Sequence, residues 1–187
     1  MLIFMWSGPR NLSTALMRSF ENRDDTIVHD EPFYAYYLLK TQLNHPMKNE
    51  IIKTYPTSQS DIIKKITKNP KNKIYYQKHM THHIIKNTKL DWIKKGYNCF
   101  LIRHPSKVIN SYIQKNTLYN INDIGFKKQF EIFKQLKKNN SKFTVINADD
   151  ILVDPMNTIK KLCKKLNINF SKKMLNWPKG KRNTDGI

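Results

Sequence analysis

Leu2-Ile3-Phe4-Met5-Trp6-Ser7-Gly8-Pro9-Arg10-Asn11-Leu12-Ser13-Thr14 is an apolar run, a tight turn and the start of a helix that continues through Leu16 and Met17 to Phe20. A helix N-terminus leaves its first N–H groups without intrahelical partners and carries partial positive charge, so an oxyanion is stabilised there. Gly8 permits the turn out of the strand. Asn11 or Ser13 is suited to cap the helix. Arg10 adds a forked cation, and Ser13 and Thr14 add hydroxyl donors. The Walker A pattern G-x-x-x-x-G-K-S/T is not met, because Ser13 stands at the second glycine and no lysine follows. This speaks against a kinase or NTPase. The plain alternative is an ordinary capped turn with a surface arginine.

A second turn of the same kind follows the apolar run Cys99 to Ile102. It reads Arg103-His104-Pro105, with Ser111 further along the next helix. Pro105 fits the first helical position. Val108, Ile109, Tyr112 and Ile113 repeat at helical spacing, and Ser111 falls on another face. Arg103 and Ser111 are placed to grip one phosphate. One such turn suggests a nucleotide, and the pair suggests a nucleotide with phosphates at both ends.

Pro9-Arg10-Asn11-Leu12-Ser13-Thr14 resembles the P-K/R-S-G-S/T-S/T loop of sulfotransferases that use 3′-phosphoadenosine 5′-phosphosulfate (PAPS). Arg103-x-Pro105-x5-Ser111 is similar to their R-x-P-x5-S element. Asp149-Asp150-Ile151-Leu152-Val153-Asp154-Pro155, with Thr158, Leu162 and Leu166, resembles their E-D-L-x-x-D-P segment beside the nucleotide. The ordered set spans nearly the whole chain. Trp6 to Asn22 and Asp30-Glu31-Pro32-Phe33-Tyr34 suggest a bacterial branch of the family. The resemblance implies that Gly8, Pro9, Arg10, Asn11, Leu12, Ser13 and Thr14 bind the 5′-phosphosulfate, and that Arg103 and Ser111 bind the 3′-phosphate. It implies that the late basic loop, Lys179, Gly180, Lys181 and Arg182, closes over PAPS. Two loop residues depart from the pattern: Leu12 stands where glycine is usual, and Asn11 where serine is usual.

The implied reaction moves the sulfuryl group of PAPS to a hydroxyl or amine of a small acceptor, releasing 3′-phosphoadenosine 5′-phosphate (PAP). Arg10, in the turn where the 5′-phosphate must rest, is the candidate transition-state cation. Tyr75-Tyr76-Gln77-Lys78-His79-Met80 looks like the family's K-x-H-type segment. It makes His79 the candidate base, with Lys78 helping to hold the transferring group. Glu31 is the rival base. His79, His82 and His83 have a spacing that invites zinc, but no carboxylate or cysteine completes a set, so no metal is expected.

The chain has 187 residues, enough for one α/β domain over 1–187. It carries 34 Lys+Arg against 14 Asp+Glu, a formal +20. Such a charge suggests nucleic acid, as a non-catalytic nucleotide- or RNA-binding protein would have. The excess is mainly Lys, alongside abundant Asn and Ile, which an A+T-rich coding sequence also produces. The aromatics follow core periodicity rather than interleaving with the cations as a base-stacking surface does, so nucleic acid is not the expected partner. Tyr34, Tyr36 and Tyr37 stand apart as candidates to line an acceptor pocket. Cys99 and Cys163 read as buried free thiols. No signal peptide or membrane span is evident, and a cytoplasmic enzyme is expected. The oligomeric state is open.

Strand-like runs at Leu2–Trp6, Thr26–His29, Ile74–Gln77, Tyr97–Ile102 and Phe143–Asn147 alternate with helical stretches. The alternation predicts an α/β fold, a central parallel sheet with helices on both faces, as in P-loop NTPase-like sulfotransferases. Residues 44–72 are polar and proline-punctuated and read as an insertion or lid.

Overall fold

The computed structural model describes residues 1–118 and 120–184. All five predicted strands form, as β1 (Leu2–Ser7), β2 (Thr26–Asp30), β3 (Ile74–Met80), β4 (Tyr97–Ile102) and β5 (Phe143–Asn147). They make one sheet in the order β2-β3-β1-β4-β5, every pair parallel. The helices are α1 (Ser13–Glu21), α2 (Tyr34–Thr41), α3 (Lys48–Thr54), α4 (Gln59–Ile66), α5 (Pro105–Ile113), α6 (Phe126–Lys138), α7 (Ala148–Val153) and α8 (Pro155–Leu166).

Side chains alternate across the sheet, so β1 feeds two cores. Ile3 and Met5 pack with Leu16 and Phe20 of α1 and Leu162 of α8. Phe4 and Trp6 pack with Ile62 of α4, Ile132 of α6 and Trp92. This explains why β1 is apolar without alternation: both of its faces are covered.

From β1 the chain runs outward to β2 and returns through β3. It then crosses to β4 and β5 on the other side. The carboxyl end of β1 is therefore the switch point of the sheet, where open α/β folds bind ligands. Both arginine-bearing turns open there.

Residues 44–72 contain α3 and α4. They are built into the body of the protein: Ile62 and Ile66 are core residues, and Ile51 packs with Ala35 and Leu38 of α2. Cys99 and Cys163 are free and buried. Among the described residues no helix is long and apolar enough to cross a membrane.

Gly8 is fixed by a close approach. A Cβ there would lie 2.3 Å from the backbone oxygen of Ile124, in the short 3-10 turn Ile121–Ile124. Backbone cannot retreat as a flexible side chain can. Gly8→Ala is expected to destabilise the fold by about 1–3 kcal/mol in urea unfolding. An unchanged midpoint would mean that the turn does not sit against the loop.

Candidate active site

The loop between β1 and α1 takes an unusual backbone course. Arg10 and Leu12 have φ of 62° and 61°, in the left-handed region. A non-glycine residue there costs roughly 1–2 kcal/mol. Leu12 offsets part of this cost by packing its side chain on the core beneath α1. The shape that glycine would give freely is thus kept by a leucine. Neither Asn11 nor Ser13 caps α1: the N-cap residue is Leu12, and no side chain accepts from the first turn. Asn11 is buried and donates from Nδ2 to the Leu101 carbonyl, 3.3 Å away, tying the loop to β4.

The loop is braced from behind. Gln129 of α6 donates to the carbonyls of Trp6 and Leu101, each 3.0 Å away, joining the carboxyl ends of β1 and β4. Thr81 donates across to the Ser7 carbonyl at 3.2 Å and the Gly125 carbonyl at 2.9 Å.

The two arginine turns meet. Arg10 Nε donates to Ser111 Oγ at 2.9 Å, and Arg103 Nη1 donates to the Arg10 carbonyl at 3.2 Å. Residues about half the chain apart therefore meet at the carboxyl edge of the sheet and bring two arginines together.

Lys78 lies on the other side of the loop, at the end of β3. Its Nζ is 2.6 Å from Asp30 Oδ1 and 3.0 Å from Glu31 Oε1, and it donates to Thr14 Oγ1 at 3.3 Å. Burial opposes its charge, but Glu31 and Asp30 outweigh burial and raise the lysine pKa. An ammonium held by two carboxylates thus touches the first turn of α1. Glu31 sits at φ 44°, ahead of Pro32. Its N–H donates to the Lys78 carbonyl at 3.0 Å, and its carbonyl accepts from Tyr34 N at 2.9 Å. Such strain persists only where surrounding contacts enforce it, and it gathers at functional sites. Thr14, Asp30, Glu31 and Lys78 open into a cavity of about 480 Å³. Its apolar wall comes from Val28, Ala35, Ile51 and Ile62, with Tyr34 and Tyr55 beside them.

Residues 1–187 match the sulfotransferase domain family. The chain belongs to that family. A branched-chain-amino-acid aminotransferase-like protein of Arabidopsis thaliana is 32% identical to it over 187 residues, which is 100% of this chain and 33% of the plant protein. The chain thus spans about a third of the length of the curated relatives it matches. The sulfotransferase domain of the curacin biosynthetic pathway superposes with a TM-score of 0.69 at 19% identity, covering 100% of this chain and 80% of that one. Mouse sulfotransferase SULT7A1, solved in complex with PAP, superposes with a TM-score of 0.54 at 15% identity, covering 93% of this chain and 62% of that one. The fold is the P-loop-like α/β fold that sulfotransferases share with shikimate kinase.

Some expected site residues of this sulfotransferase domain lie elsewhere. His79 follows Lys78 within β3 and so points to the opposite face. It is 1% exposed and packed among Trp6, Phe4, Phe33 and Trp92. Its Nε2 is 3.2 Å from Gln77 Oε1, and its Nδ1 has no partner. Burial, reinforced by His29, depresses its pKa to about 3. A ring so enclosed meets no acceptor, which corrects the expectation that it is the base. The late basic loop is anchored at the other end of α1. Lys179, Gly180 and Lys181 are exposed, and Arg182 pairs with Glu21 at the far end of α1. Asn183 and Thr184 do reach the cavity wall, while the last residues of the loop, Asp185 and Gly186, lie outside the described residues. Arg10 turns toward Ser111, so Lys78 is the cation in contact with Thr14.

His82 and His83 stand behind Glu31. His83 Nδ1 is 3.9 Å from Glu31 Oε2, and its ring stacks on Tyr34 and Tyr37. Burial first, then His82 and Lys78, holds His83 well below the usual histidine range. Among the described residues no group of three or more His, Cys, Asp or Glu is placed to hold a metal ion. Sequence reasoning missed Asp30 as the second partner of Lys78, and Lys107 as a further cation near Arg103. The first-turn position of Lys107, two residues after Pro105, was the available signal for the latter.

Proposed function

We propose that the domain transfers a sulfuryl group from PAPS to a hydroxyl or amine of a small acceptor. The observation that carries this reading is the meeting of Arg10, Arg103 and Ser111 at the switch point of the sheet. In this reading one anion rests at the N-terminus of α1 and the other beside Arg103, as a nucleotide with phosphates at both ends requires. That a solved member of the fold is complexed with PAP supports the same choice of nucleotide.

In this reading the 5′-phosphosulfate rests on residues 8–14 and the acceptor enters the cavity beside it. The acceptor oxygen or nitrogen attacks sulfur, the bond from sulfur to the bridging oxygen breaks, and the 5′-phosphate of PAP leaves. Glu31 takes the acceptor proton, and Lys78 meets the charge developing on the transferring group. Sulfuryl transfer needs positioning and charge stabilisation more than covalent chemistry, as phosphoryl transfer does. Residues 44–72 supply Ile51, Tyr55, Pro56 and Lys65 to the wall of that cavity. The setting we propose is cytoplasmic.

The test is nucleotide-dependent stability. PAP at 100 times its dissociation constant is expected to stabilise the protein by about 2.7 kcal/mol, and AMP at the same concentration by clearly less. Equal thermal shifts from the two nucleotides would remove the 3′-phosphate site and the reading with it. Transfer from labelled PAPS to a metabolite mixture then identifies the acceptor.

A further inference from the structure

We propose that Asp149 is a positioning residue of the 3′-phosphate site, holding Arg103 and Lys107 side by side to receive the phosphate. The inference rests on the donor reading above. Arg103 Nε donates to Asp149 Oδ1 at 3.2 Å, and Lys107 Nζ donates to Asp149 Oδ2 at 3.0 Å. One carboxylate thus bridges two cations. Arg10 approaches the same place through Ser111, so cationic side chains from the turns after β1 and β4 crowd together. Such cations repel unless an anion lies between them. Asp149 supplies that anion before any ligand arrives.

The bridging leaves Arg103 able to bind. Of its five N–H groups, Nε is taken by Asp149 and one on Nη1 by the Arg10 carbonyl. The plane of the guanidinium is thereby fixed from two sides, with donors left for a phosphate. Asp149 is itself fixed: its N–H donates to Asn147 Oδ1 at 3.0 Å, at the turn from β5 into α7. The Lys107 and Arg103 hydrogen bonds hold its carboxyl below the usual carboxylate range despite the opposing effect of desolvation, so it is charged at neutral pH. The turns after β1, β4 and β5 each contribute a charged group to one site, and the ligand that suits it is a phosphate monoester on the ribose.

The experiment is calorimetric titration of PAP and of AMP into wild type, Asp149→Asn, Asp149→Glu and Lys107→Met. The quantity read is the ratio of PAP to AMP affinity, which a general loss of structure does not change. Asp149→Asn is expected to lower that ratio about tenfold, on the scale of a lost charge-assisted contact, with AMP affinity unchanged. Asp149→Glu is expected to recover part of it, and Lys107→Met to lower it by less than Asp149→Asn does. A ratio unchanged or raised in Asp149→Asn overturns the proposal, since the carboxylate would then merely compete with the phosphate. Equal losses for both nucleotides also overturn it. A wild type that binds neither nucleotide defeats the donor reading itself and takes this inference with it.

Discussion

Glu31→Gln is expected to lower sulfuryl transfer by about 10²–10⁴-fold, the usual range for loss of a general base, while PAP affinity is little changed. Glutamine keeps the shape of the side chain and its left-handed backbone but cannot take a proton. The choice of Glu31 follows from its place: it lines the cavity next to Thr14 and Lys78, and its backbone is held there by Lys78 and Tyr34. The measurement is turnover of labelled PAPS with an acceptor drawn from the metabolite screen, beside calorimetry with PAP. Near-normal turnover in Glu31→Gln would move the base to another group. His79→Ala serves as the contrast, because its ring lies on the other face of the sheet and its loss acts through packing.

Lys78→Met is expected to damage both rate and stability. Loss of a cation at the transferring group costs ~10²–10³ in rate. It also leaves Asp30 and Glu31 side by side without their ammonium. Breaking a buried pair from one side costs about 3–5 kcal/mol; the two carboxylates keep 15% and 25% exposure, so the low end, about 3 kcal/mol, applies. The folded protein holds the Lys78 proton more tightly than the unfolded chain does. The contribution is therefore full below the ordinary lysine range and is lost as pH climbs through the raised folded pKa. Denaturant melts of wild type and Lys78→Met should differ most at neutral pH and converge in strong alkali. Equal stability at pH 7 would show that the ion pair adds nothing to the fold.

The sheet was legible because each strand carries a cluster of β-branched, aromatic or other apolar residues. The helices after β1 and β4 were legible because Leu16, Met17 and Phe20, and Val108 and Tyr112, repeat at helical spacing. The error at His79 has a definite origin. The sequence reading ended the third strand at Gln77, which put Lys78 and His79 together in a turn. The strand runs on to Met80, and consecutive strand residues face opposite ways. Only one of the two can face the cavity, and it is the lysine, because Ile74, Tyr76 and Lys78 share the α1 side. Helix α3 was illegible: its seven residues, Lys48–Thr54, carry two isoleucines in a polar setting, and packing against α2 stabilises it. The pairing of Arg182 with Glu21 is a tertiary contact that no local pattern announces.

Leu12 changes when the loop after β1 becomes ordered. A glycine at that position would leave the unbound loop many conformations, and a ligand would have to select among them. Leucine has fewer backbone states to lose, and its side chain is already fastened to the core, so the loop takes its shape as the chain folds. If the loop receives the donor as proposed above, the ligand meets a preformed surface, and the binding entropy is set by the nucleotide and released water rather than by the protein backbone.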